Sequence, residues 1–162
     1  MTLWAAVVAE RLGFPRDEAL TLGRAVAGLN AAAKAVRLGR ATEREKPAHR
    51  IPRGAEQVEL LGRSVPVLHT PHGLRAAKDG RPDSPEAVER YLEARFGESL
   101  EDARMAFATL AASLPPNELA ARAYEFYEAF RPGIPAGTRG WGAKGVLDLA
   151  KVKKLAAAKK ED

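Results

Sequence analysis

The sequence predicts a mainly α fold, five to six helices with one small β-hairpin at about residues 57–69. Three observations predict it. Apolar side chains recur at helical spacing over most of the chain, most clearly at Leu22, Val26, Leu29, Ala33 and Val36. They alternate with polar ones in one place, through Val58, Leu60, Val65 and Val67. Prolines and glycines separate the helical stretches at Gly13-Phe14-Pro15, Gly80–Asp83 and Pro115-Pro116. A chain of 162 residues suits a single domain and can bury a core without disulfide or metal.

The first helix is expected over about Thr2–Leu12, with Thr2 as its cap and Trp4, Val7, Val8 and Leu12 on one face. Gly13-Phe14-Pro15 ends it, and Pro15 opens the second helix, whose first-turn Asp17 and Glu18 complement the helix dipole. That helix runs to about Gly39, while Gly23, Ala27 and Ala31 leave it slim enough for a close neighbour. Periodicity vanishes over residues 40–54, which read as a basic loop. In the hairpin, Gly62-Arg63 suits a two-residue type II′ turn, and Pro66, which cannot donate to a ladder, is expected at an outer edge. The stretch His69 to Gly73 is expected to end the second strand.

Ser84-Pro85-Glu86 supplies a cap, a first-turn proline and a first-turn acid for a helix that leads into Val88, Tyr91, Leu92 and Phe96. Ser99 is expected to cap the next, with Leu100, Ala103, Phe107, Leu110 and Leu114 on one face. Pro115-Pro116 stops it and launches a third, faced by Leu119, Ala123, Phe126, Tyr127 and Phe130. Residues 132–145 are rich in Gly and Pro. A last helix is expected from about Val146, fraying over 155–162.

Composition excludes several classes. The chain is 46% hydrophobic and 29% charged, as globular proteins are and disordered ones are not. No Cys is present, so disulfides, thiol redox pairs and thiolate zinc sites are ruled out. His69 and His72 are two ligands where a metal site needs three or four, and His49 stands among arginines; no metal or other cofactor is expected. No apolar run reaches about 18 residues, so no membrane partner is expected. The opening MTLWAAVVAERLGF has no basic stretch before its apolar one, so a cytoplasmic protein is expected.

Net charge is +5, unevenly spread. Lys34, Arg37, Arg40, Arg44, Lys46, Arg50 and Arg53 stand against Glu43 and Glu45, and six of the chain's nine lysines lie between 144 and 160. Residues 84–130, with nine acids and four arginines, lie between these basic segments. Such a field favours an anionic partner or self-association of acidic middle with basic ends. Arginines and lysines without interleaved aromatics suit phosphates rather than stacked bases. Nucleic acid, DNA before RNA, is therefore the expected partner. Lys34, Arg37, Arg40, Arg44, Arg50, Arg53, Lys151, Lys153 and Lys154 are the expected contacts.

Val8-Ala-Glu-Arg-Leu-Gly-Phe-Pro-Arg-Asp-Glu-Ala-Leu20 resembles the core of the bacterial helix-turn-helix DNA-binding motif. Ala9 takes the place of that family's small packed residue, Gly13 that of its turn glycine, and Phe14-Pro15 that of the step into the recognition helix. The resemblance implies DNA binding through the second helix. Asp17 and Glu18 depart from it, since they stand where recognition helices meet phosphates, which repel them.

A rival reading makes the protein a binder of, or an enzyme acting on, a small anionic ligand held by the loop Gly137–Gly145, where Arg139, Trp141, Gly142, Lys144 and Gly145 precede a helix N-terminus. It is not a Walker loop, because residues 142–144 read Gly-Ala-Lys rather than Gly-Lys-Ser/Thr. No nucleophile elbow and no acid–base pair stands out, so no catalytic residue is assigned and an enzyme is not the expectation.

Overall fold

The computed structural model describes residues 1–37, 56–130 and 149–160; at the helix ends 34–37 and 158–160 it describes the backbone alone. Among the described residues there are six α-helices: α1 (Thr2–Arg11), α2 (Arg16–Arg37), α3 (Pro85–Phe96), α4 (Leu100–Ala112), α5 (Pro116–Phe130) and α6 (Leu149–Lys160). Between α2 and α3 lies a four-stranded antiparallel sheet in sequence order, β1 (Gln57–Leu60), β2 (Arg63–Thr70), β3 (Gly73–Lys78) and β4 (Arg81–Pro82).

The fold is mainly α as expected, but the single hairpin is the first half of a larger sheet. Leu60 pairs with Arg63, so the turn is Leu61-Gly62, one residue earlier than the sequence suggests. Both turn residues have positive φ, 50° and 75°, which makes the turn type I′ rather than II′. A left-handed leucine costs about 1–2 kcal/mol, but this turn buries Leu61, and burying a leucine returns about 1.5–3 kcal/mol. After Thr70 the chain turns through Pro71-His72 into β3, and Asp79-Gly80, again both at positive φ, turns it into β4.

Pro66 sits inside β2, not on an outer strand. It marks the point where β2 changes partner: residues 63–66 pair with β1, and residues 67–70 pair with β3. Ladder hydrogen bonds alternate along an antiparallel pair, and Val67 N–H donates to the Glu56 carbonyl, so the Pro66 nitrogen faces away from β1. The β3 ladder stops one residue short of it, so the missing N–H breaks no rung.

α2 joins the sheet through Thr21, which is fully buried. Its hydroxyl accepts the Ala76 N–H at 3.0 Å and donates to the Glu18 carbonyl at 3.2 Å. The Ala76 carbonyl is taken by the Asp83 N–H, so a helix side chain fills the rung that the two-residue strand β4 leaves open. Thr21→Val keeps the shape and removes the acceptor. It is expected to lower the unfolding free energy by about 1–3 kcal/mol, with Thr21→Ser losing less, in denaturant titrations.

α1 is the centre of the molecule. Thr2–Ala9 are all buried, not one face alone, and the helix begins after Met1, so Thr2 lies within it rather than capping it. Ala5, Ala6 and Ala9 let neighbours approach from every side, and charge first appears at Glu10. Trp4 is enclosed by Phe107 of α4 and by Phe126 and Phe130 of α5, with ring centroids 5.4–6.5 Å away, and its Nε1–H donates to the Ala123 carbonyl at 2.9 Å.

α2 packs alongside α1. A Cβ built on Gly23 would lie 2.6 Å from the Thr2 carbonyl oxygen and 2.8 Å from the Ala6 nitrogen. The segment resembling a helix-turn-helix therefore forms two helices side by side, one of them buried, with Phe14 N–H donating to the Ala9 carbonyl across the turn.

Ser84 caps α3 as expected, accepting the Ala87 N–H at 3.2 Å. Ser99 makes no side-chain cap; its own backbone is helical, and a 3₁₀ turn over Gly97–Ser99 leads directly into α4. α6 spans Leu149–Lys160, with Leu155 half-buried and Ala156 buried.

Candidate nucleic-acid interface

α6 carries the expected lysines on a fixed support. Val152 and Ala156 are buried, and Leu149 and Leu155 pack partly against the same core. At 100° per residue these four positions fill one arc of the helix, and Lys151, Lys153 and Lys154 fall on the rest, all exposed. No carboxylate among the described residues forms an ion pair with any of the three, and Lys78 at the end of β3 is likewise exposed and unpaired among them.

Several arginines are used differently. Glu89 of α3 accepts from Arg16 of α2 at 3.2 Å and from Arg104 of α4 at 3.0 and 3.1 Å, tying three helices together. Burial alone pushes the Glu89 carboxyl upward, but the hydrogen bonds and charges of Arg104 and Arg16 together outweigh it. They hold the group below the ordinary carboxylate range. Arg24 faces Asp83 at 3.8 Å, and Arg122 bridges Glu118 and Glu125 along α5. These four guanidinium charges are matched within the protein. Charge without an ion pair among the described residues is carried by those lysines and by exposed arginines such as Arg11 and Arg81.

Lys34 and Arg37 lie in the last turns of α2. Arg40, Arg44, Arg50 and Arg53 of the basic stretch lie outside the described residues, as do Arg139, Trp141, Gly142, Lys144 and Gly145 of the glycine-rich loop. Of the two acids that depart from the helix-turn-helix pattern, Asp17 is exposed and Glu18 is half-buried beside the β2–β3 turn at Gly73. His69 meets Glu56 across the sheet, His72 is exposed at a turn, and no metal-binding cluster of three His, Asp or Glu is found among the described residues.

One concavity escapes sequence reasoning. A groove of about 460 Å³ opens between α2, the sheet and α3. Its walls are small side chains, Ala25, Ala27 and Gly28 facing Pro66, Ala76 and Ala77, too short to close the space between helix and strands. Tyr91 and Lys78 stand beside it, with Arg24, Asp79 and Asp83. These groups come from segments far apart in the chain, and no local spacing announces them. Among the described residues no helix is long and apolar enough to cross a membrane. No protein-family model, no curated protein and no solved structure matches the chain.

Proposed function

We propose that the protein binds nucleic acid, DNA in the first place, chiefly through backbone phosphates. The observation that carries this reading is the docking of α6: Val152 and Ala156 are buried, and Lys151, Lys153 and Lys154 project from a rigid helix without ion-pair partners among the described residues. Lysines held on a docked helix meet phosphates without the entropy loss of ordering a tail. The second basic segment, from Lys34 and Arg37 to Arg53, adds phosphate contacts in the same reading.

Fluorescence anisotropy with labelled duplex DNA over a salt series tests it. Binding is expected to weaken linearly in log–log form. Replacing Lys151, Lys153 and Lys154 with Gln is expected to flatten the slope by about 2.7, that is about 0.9 for each phosphate no longer neutralised. Circular dichroism should show the same helix content in both proteins. Absence of duplex binding at low salt, or an unchanged slope in the triple variant, overturns the reading.

A further inference from the structure

We propose that the groove between α2, the sheet and α3 takes one unstacked base of a single-stranded nucleic acid, its ring on Tyr91 and an adjoining phosphate on Lys78. The inference rests on the phosphate-binding reading above and names the form of nucleic acid that the site selects.

Four observations lead there. The volume, about 460 Å³, falls in the range of roughly 300–1,000 Å³ in which small organic groups are held. The walls are mostly apolar, and the four charged groups beside them, Arg24, Lys78, Asp79 and Asp83, sum to zero, with Arg24 and Asp83 facing each other at 3.8 Å. Such an interior suits a neutral flat ring and not an anion. Tyr91 is 47% exposed, one of the two large apolar side chains left in solvent among the described residues, and its hydroxyl has no partner there. Lys78 is exposed at the groove, so a phosphate outside and a base inside are matched together. The basic stretch 34–53 has no aromatic residue of its own; the fold supplies one from α3.

The test compares an unstructured single-stranded DNA oligonucleotide with an abasic oligonucleotide of equal length and phosphate count, again by anisotropy. Stacking on one aromatic side chain is expected to make the base-bearing strand bind about 5- to 160-fold more tightly. Tyr91→Ala is expected to abolish that difference while leaving the salt slope intact, Tyr91→Phe to preserve it, and Lys78→Gln to flatten the slope by about 0.7. Thermal unfolding of each variant shows that the fold is retained. Equal affinity for the two strands, or a difference that survives Tyr91→Ala, overturns the base site and leaves phosphate binding standing. Failure of both strands to bind at low salt while duplex DNA binds overturns the base site alone, and failure of all three overturns both.

Discussion

Trp4→Ala is expected to lower the unfolding free energy by about 3–5 kcal/mol, about a fifth or more of what a domain of this kind has in total. Trp4 is fully buried and meets rings on two other helices, Phe107 on α4 and Phe126 and Phe130 on α5. Its removal leaves a cavity lined by aromatic groups that cannot collapse without moving α1, and it removes the donor held by the Ala123 carbonyl. Trp4→Phe keeps most of the apolar volume and loses the donor, so it should fall between the two. Denaturant titration followed by far-ultraviolet circular dichroism measures both. A Trp4→Ala loss under about 1 kcal/mol would show that the core is not centred on this side chain.

Gly23→Val is expected to lower the unfolding free energy by about 3 kcal/mol or more, the upper end of overpacking costs. The atoms that a side chain at this position would strike are main-chain atoms of α1, the Thr2 oxygen and the Ala6 nitrogen, which no rotamer change can move. The two helices have to separate. Gly23→Ala is the informative intermediate: replacing glycine inside a helix gains about 1 kcal/mol in propensity, and the contacts at 2.6 and 2.8 Å more than cancel that gain. A graded loss from Ala to Val, read by thermal unfolding, is the expected result. A stabilised Gly23→Ala would mean that α1 and α2 do not pack this closely.

Much of the helical architecture is legible in the sequence because its boundaries are written in side-chain chemistry. Ser84-Pro85 and Pro115-Pro116 each fix a helix start, and the stripes of α4 and α5 read directly as the faces that surround Trp4. α1 reads as one-faced because a short window of Val and Ala has no polar side to contradict or confirm it; only the packing of α2, α4 and α5 shows that every face is covered. The sheet is half legible. β1 and β2 alternate, whereas β3 carries Ala76 and Ala77 in succession and shows no period, and only the Asp79-Gly80 dipeptide, a strong type I′ signal, marks the turn after it. The lysines of α6 are visible as composition, but their common arc depends on knowing which side of the helix is docked. The groove is not visible at all, since Arg24, Pro66, Lys78 and Tyr91 meet only in three dimensions.

The bond from Trp4 to Ala123 spans 119 residues of chain. The helix at the middle of the core is thus made well before the helices that enclose it. During synthesis α1 emerges with an apolar surface on all sides, and α2 alone covers only part of it until α4 and α5 have followed. Contacts of such sequence separation slow folding, because the loop they close must be ordered before they contribute. The nascent chain therefore has a long interval in which α1 lacks the cover that α4 and α5 give it in the native core.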